Sequence, residues 1–152
     1  MTVRPAEDKD AEKIVELGHV MHKESVFADY DFDKDHLINY TFHAIRSPKE
    51  FGMFVNEDND GEINGAVCGY IGSHYFAPKV KVAYDFIVYV HPSKRGGIAA
   101  VRLLKKYEEW AKRAGASEIV FGVSAGINND KAEKFYRGLG YDQSAAVFKK
   151  EM

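Results

Sequence analysis

Apolar side chains at Ala11, Ile14, Val15, Gly18 and Met21 recur at the spacing of one face of an α-helix. Asp8 or Asp10 can cap the start of that helix, after a short strand in "TVRPA" that Pro5 stops. A second helical stripe, Leu37, Thr41, Ala44 and Ile45, follows a cap at Asp33, and Pro48 sits just past its end. Between the two helices "KESVFADYD" has no period and reads as a loop. The period then shortens to that of a strand. In "FGMFVNEDNDGEINGAVCGYIGSHYF" the turn signal "DNDG" separates two strand-like runs, which predicts a β-hairpin. After "APK" interrupts, "VKVAYDFIVYV" alternates. Val80, Val82, Tyr84, Phe86, Val88 and Val90 fall on one face, and Lys81, Ala83, Asp85, Ile87 and Tyr89 on the other. Apolar residues on both faces predict an inner strand with helices on each side. Ala100, Leu104, Tyr107, Ala111 and Ala114 return to helical spacing, with a stop at Gly115. "EIVFGVS" reads as a buried strand and "NNDKAEKFYRGLGY" as a short helix, with Asp130 and Glu133 at capping-box spacing. The tail "AAVFKK" can add a last strand. The order β-α-α-β-β-β-α-β-α-β predicts one mixed α/β domain over residues 1–152, with no linker to divide it.

Composition narrows the function classes. A chain of 152 residues suits one core, and a formal charge of −2 gives no global attraction to nucleic acid or anionic membrane. Lys105, Lys106, Lys112 and Arg113 could be a local basic patch, but Glu108 and Glu109 among them favour a solvated face. The single cysteine, Cys68, excludes an internal disulfide framework and a cysteine-based zinc site. Its neighbours in "NGAVCGYIG" make it a core residue. His19 and His22 lack further ligands, so no metal is assigned. No signal-like segment or apolar run of membrane-spanning length stands out, and a cytoplasmic protein without a membrane partner is the expectation.

"VHPSKRGGIAAVRLLKK" is the first stretch that suggests chemistry. A strand that feeds a helix N-terminus presents unpaired N–H groups, and the helix dipole adds positive potential. Gly96 and Gly97 let the backbone approach a ligand closely, and Lys94 and Arg95 add charge. The stretch therefore fits a pyrophosphate cradle, or a plain turn with solvated basic residues. It is neither a Walker loop nor a dinucleotide fingerprint, because the glycine spacing differs. In the second stretch, Ala132, Phe135, Tyr136 and Leu139 share a helix face. Tyr136 can be a core aromatic or a proton donor at the rim of a cleft.

Together, "VHPSKRGGIAAVRLL" and "NNDKAEKFYRGLGY" resemble the two signatures of the GCN5-related N-acetyltransferase (GNAT) superfamily. The opening "TVRPAEDKDAEKIVEL" fits as well, so the resemblance covers nearly the whole chain. It implies a mixed, mostly antiparallel twisted sheet flanked by helices on both faces, and transfer of an acetyl or other acyl group from acetyl-CoA to a primary amine. It implies that Val88, Tyr89 and Val90 pair with the pantetheine arm. The backbone amides of Arg95, Gly96, Gly97, Ile98, Ala99, Ala100 and Val101 would hold the pyrophosphate. Asn129 would contact the arm near its reacting end, and Tyr136 would protonate the departing thiolate. Ile98 stands where the family's first loop glycine is usual, Gly97 lies one residue early, and a branched Ile98 narrows the approach. Homodimers are common among such proteins.

The chemistry further wants a base for the amine and a donor for the thioester oxygen. The resemblance implies a backbone N–H near the arm-binding edge as that donor, with Val88 as the candidate. Asp85, alone among apolar neighbours, is the candidate base, unless it pairs with Lys81 on the same face. Glu24, Asp29 and Asp31 could attract a cationic acceptor amine; Glu24 is the candidate taken forward. The acceptor can be a small molecule or a peptide. A non-catalytic module of the same fold, binding acyl-CoA or a protein partner, is the alternative reading.

Overall fold

The structure, a computed structural model, describes residues 1–152. β1 (Thr2–Pro5) leads through a 3₁₀ turn at Asp8–Asp10 into α1 (Ala11–Glu24) and α2 (Lys34–Ile45). β2 (Phe51–Glu57), β3 (Ile63–His74) and β4 (Ala77–Val90) follow as a meander. A second 3₁₀ turn at Pro92–Lys94 precedes α3 (Ala99–Arg113), β5 (Glu118–Val120) and α4 (Asn129–Gly138). The strands form one sheet in chain order, antiparallel from β1 to β4, with β5 parallel to β4.

Local signals account for most boundaries. The Asp33 side chain accepts the His36 N–H at 3.0 Å and caps α2. The Asp58 carboxylate accepts the N–H groups of Asp60 and Glu62, both at 3.0 Å, and closes the β2–β3 turn. Side chains along β2 and β3 alternate as a half-and-half strand should. Phe54 and Val67 face α3, where they pack with Leu103, Tyr107 and Trp110. Val55, Ala66 and Cys68 face α1, where they meet Ile14 and Leu17. The sheet is thus buried between two helical layers.

β4 departs from the expected alternation. Ala83 lies in the α3 cluster, as the odd positions should, but so do Val88 and Val90. Ile87 and Tyr89 belong to the α1 cluster instead. The register explains this: Cys68 pairs with Ile87 while Gly69 pairs with Asp85, so Phe86 is an extra residue. This β-bulge reverses the two faces, and Phe86 and Ile87 both lie on the α1–α2 side. Gly69 makes room for it. A Cβ there would lie well inside van der Waals contact with the Tyr107 hydroxyl and the Tyr84 carbonyl oxygen. That hydroxyl donates to that oxygen at 2.7 Å, so α3 reaches through the sheet at the bulge.

Four other expectations need correction. "APK" does not interrupt the sheet; the turn falls at Tyr75 and Phe76, and β4 starts at Ala77. The strand expected over "EIVFGVS" stops at Val120. The cap of α4 is Asn128, whose side chain accepts the Lys131 N–H at 3.3 Å, not Asp130. No strand forms in the tail, where Val147 and Phe148 are 85% and 93% exposed.

Candidate active site

β4 and β5 part. They pair only at Val82–Glu118, Ala83–Ile119 and Tyr84–Val120, and then diverge. At the fork Asp85 Oδ1 accepts the Gly122 N–H at 2.9 Å, so a side chain takes a backbone donor that another rung of ladder would have used. The strand predicted beyond Val120 does not form. A cavity of about 630 Å³ opens between the free end of β4 and the segment from Gly122 to Asn129. Its far wall is tied to the end of α1, where the Val26 N–H donates to the Ala125 carbonyl at 2.8 Å.

One end of the cavity is the β4–α3 junction. Gly96 has φ +87°, a conformation that favours glycine, and a Cβ on Gly96 or Gly97 would meet open space. The first bond of the α3 ladder runs from the Arg102 N–H to the Ile98 carbonyl at 3.0 Å, so the amides of Ala99, Ala100 and Val101 precede it. No side chain caps this end. Lys94, Arg95, Gly96, Gly97, Ala99 and Ala100 line the cavity, whereas Ile98 and Val101 do not. Ile98 is 50% exposed and turned away, so its branched side chain does not narrow the approach.

Arg95 is turned inward. Its Nε donates to the Val90 carbonyl at 3.0 Å, and its guanidinium lies over the Tyr89 ring, 5.1 Å from the centroid. The fork also grips the Glu24 carboxylate, with Nη1 3.3 Å from Oε2 and Nη2 bonded to Oε1. The Tyr89 hydroxyl donates to the same carboxylate. Arg95 holds the Glu24 carboxyl below its usual range, against burial that pushes the other way. Glu24 therefore sits with the basic loop and does not line the cavity.

The other end carries the titratable groups. Burial raises the Asp85 carboxyl above its usual range, although the Gly122 amide partly opposes this. No ion pair joins Asp85 to Lys81. Tyr136 comes from α4, stacked on Phe121 with centroids 5.3 Å apart and also near Tyr141. It lines the cavity, and burial together with the nearby Asp85 charge raises its phenol, which stays protonated at neutral pH. Val88, Tyr89, Val90 and Asn129 also line the cavity. From Asp85 to Val90 the strand spans roughly 16 Å at about 3.3 Å per residue.

Met21, Phe27 and Lys131 also line the cavity and escape sequence reasoning. Met21 reads as core stripe, and Phe27 lies in a loop without period. Lys131 carries a weak signal, since it falls in the first turn of the helix that follows the parted strand. No group of His, Cys, Asp and Glu side chains could hold a metal ion. No helix is long and apolar enough to cross a membrane.

An open strand edge running into an uncapped helix N-terminus fits a thioester cofactor with a long arm and a pyrophosphate. Comparison with known proteins agrees. The L-methionine sulfoximine/L-methionine sulfone acetyltransferase of Salmonella typhimurium is 26% identical over 151 residues, 97% of this chain and 83% of that protein. A mutant of the Bacillus halodurans protein BH1408 has the same fold, with a TM-score of 0.81 at 19% identity over 100% of this chain and 99% of the other. So does AAC(6')-Iy, solved in complex with the bisubstrate analog CoA-S-monomethyl-acetylneamine, with a TM-score of 0.77 at 18% identity over 99% and 97% of the two chains. The sequence profile of the Acetyltransferase (GNAT) family matches residues 16–141, and the chain belongs to that family as an acetyl-CoA-dependent N-acetyltransferase.

Proposed function

We propose that this enzyme transfers acetyl to a primary amine by direct attack, with Asp85 as base and Tyr136 as acid. The observation that carries the reading is the fork at Asp85 and Gly122, which leaves a carboxylate, a phenol and a free strand edge in one cavity. Acetyl-CoA supplies the acyl group as a thioester. The edge at Val88, Tyr89 and Val90 lies along its arm, and the amides from Arg95 to Val101 receive its pyrophosphate. Asn129 meets the arm near the reacting end.

A bound amine arrives as an ammonium ion and must lose a proton before it can attack. Asp85, raised by burial, takes that proton more readily than an exposed aspartate would. The backbone N–H of Val88 donates to the carbonyl oxygen as negative charge grows there. Tyr136 keeps its proton until the C–S bond breaks and then passes it to sulfur; the nitrogen, positively charged once bonded to the acyl carbon, gives up its second proton to the phenolate, so the phenol is restored and the one proton released is that held by Asp85. Salmonella typhimurium's relative, by its name, acts on amino acid derivatives, which supports a small acceptor here.

Release of free thiol from acetyl-CoA in the presence of an amine tests the proposal. Tyr136→Phe is expected to lower kcat by about 10²-fold or more while acetyl-CoA still raises the melting temperature. Equal turnover in the two proteins would remove Tyr136 from the mechanism.

A further inference from the structure

The bulge in β4 has a chemical consequence beside Asp85. Phe86, turned to the α1–α2 side, lines the cavity and remains 47% exposed. It is the front of an aromatic stack. Tyr70 lies behind it at 4.8 Å between centroids with planes 24° apart, and Tyr84 stacks on Tyr70 at 5.4 Å. Tyr40 of α2 meets Phe86 edge-on at 5.6 Å, and Phe51 lies 6.3 Å away. Met21 of α1 and Phe27 of the turn after it add apolar surface.

The charges are as informative as the rings. Among the residues that line the cavity, Asp85 is the one carboxylate, and the cations Lys94, Arg95 and Lys131 belong to the loop and the start of α4. Glu24, the other acid nearby, is held by Arg95 and Tyr89. A polycationic acceptor would need several acids, and one is available. An aromatic body, by contrast, finds a half-open ring supported by others, a geometry that favours offset or edge-on stacking.

Building on the transferase reading above, we propose that the acceptor is an aralkyl monoamine: a primary amine a short chain away from an aromatic ring. The ring packs on Phe86, which Tyr40 supports edge-on from behind, and the ammonium group reaches Asp85. Lengthening the chain or adding a second amine places charge against the apolar wall, at a cost in desolvation.

The test uses the full chain with acetyl-CoA and three acceptors: 2-phenylethylamine, hexylamine and spermidine, with thiol release as the readout. The expected kcat/KM for 2-phenylethylamine exceeds that for spermidine by about tenfold or more, with hexylamine between them. Phe86→Leu and Tyr40→Ala, made separately in case one fails to fold, each raise KM for 2-phenylethylamine by about three- to tenfold. The affinity for acetyl-CoA, read by thermal shift, stays within about twofold of the parent, since neither ring touches the loop. Preference for spermidine, or a KM for the aromatic amine that both substitutions leave unchanged, overturns the acceptor assignment and leaves the transferase standing. Binding of acetyl-CoA with no transfer to any of the three, nor to amino acid amines, overturns both.

Discussion

Arg95 of the β4–α3 junction grips Glu24 at the last turn of α1, and the two are joined by Tyr89, which donates to the carboxylate from under the guanidinium. The Arg95 side chain thus engages a carboxylate of the chain itself, while its backbone amide is the group proposed to receive the pyrophosphate. Arg95 also bonds the Val90 carbonyl, so the loop is fastened to the strand it leaves and to the helix opposite.

Arg95→Lys is expected to weaken acetyl-CoA binding although the charge is kept. Lysine cannot reproduce a fork that spans Glu24 and Val90 together. A loss of about 1–2 kcal/mol in binding free energy, measured by calorimetric titration, is the expected size for charge-assisted bonds of this kind. An unchanged Kd would mean that the loop needs no fastening.

Asp85→Asn separates function from stability. Asparagine can still accept the Gly122 N–H but cannot take a proton from the amine, so kcat/KM is expected to fall by about 10²-fold or more. The folded carboxyl titrates above its unfolded value, so the fold prefers the protonated form. The stability cost is therefore absent below the ordinary aspartate range and fully present above the raised value. The asparagine variant should melt at a higher temperature than the parent at pH 8, and the gap should close as the pH falls towards 4. A lower melting temperature at pH 8 would contradict the assignment. In the parent enzyme the acid limb of kcat/KM should lie above the usual aspartate range and vanish in the variant.

Gly69→Ala tests the bulge. The new methyl collides with the Tyr107 hydroxyl and with a backbone carbonyl, so the strand cannot simply absorb it. Urea denaturation is expected to show a loss of about 1–3 kcal/mol, the usual range for overpacking. Because Tyr84 and Asp85 adjoin the collision, activity should drop further than the folded fraction does. Retained stability would show that β4 tolerates a different register there.

Arg4→Met tests the anchor at the start of the chain. The Arg4 guanidinium is bidentate to Asp10, at 2.7 and 3.0 Å, and bonds Glu57 at 2.6 Å. Burial works to raise the Asp10 carboxyl, but Arg4 and the Glu7 amide prevail and hold it below its usual range. Its contribution is thus present at neutral pH and is lost as the pH falls through that lowered value. Removing Arg4 strands a buried carboxylate and should cost about 3 kcal/mol at pH 7 in urea titration. The loss should shrink in acid, and a pH-independent loss would point to packing alone.

The periodicities of α1, α2 and α3, the "DNDG" turn and the glycine-rich junction were legible in the chain because each is a local pattern. Helical spacing needs only neighbours within two turns, and Asp33 caps α2 without help from elsewhere. The resemblance of two short motifs to a family was legible for the same reason. Asp85 and Tyr136 were nameable as candidates, but their meeting was not, because they lie 51 positions apart in the chain.

Tertiary structure decided the rest. A bulge is a mismatch between two strands, and β4 alone carries no mark of the extra residue at Phe86. Strict alternation therefore placed Phe86 with Val88 and Asp85 with Ile87, each with the wrong neighbours. The partner of Glu24 could not be read either, since an acidic residue looks the same whether it awaits a ligand or an arginine 71 positions away. β5 ends where the Asp85 side chain takes the Gly122 amide, a contact between residues 37 positions apart, and the tail forms no strand. Local spacing sets which elements form. Where two of them part to leave a cavity is settled by hydrogen bonds between residues far apart in the chain.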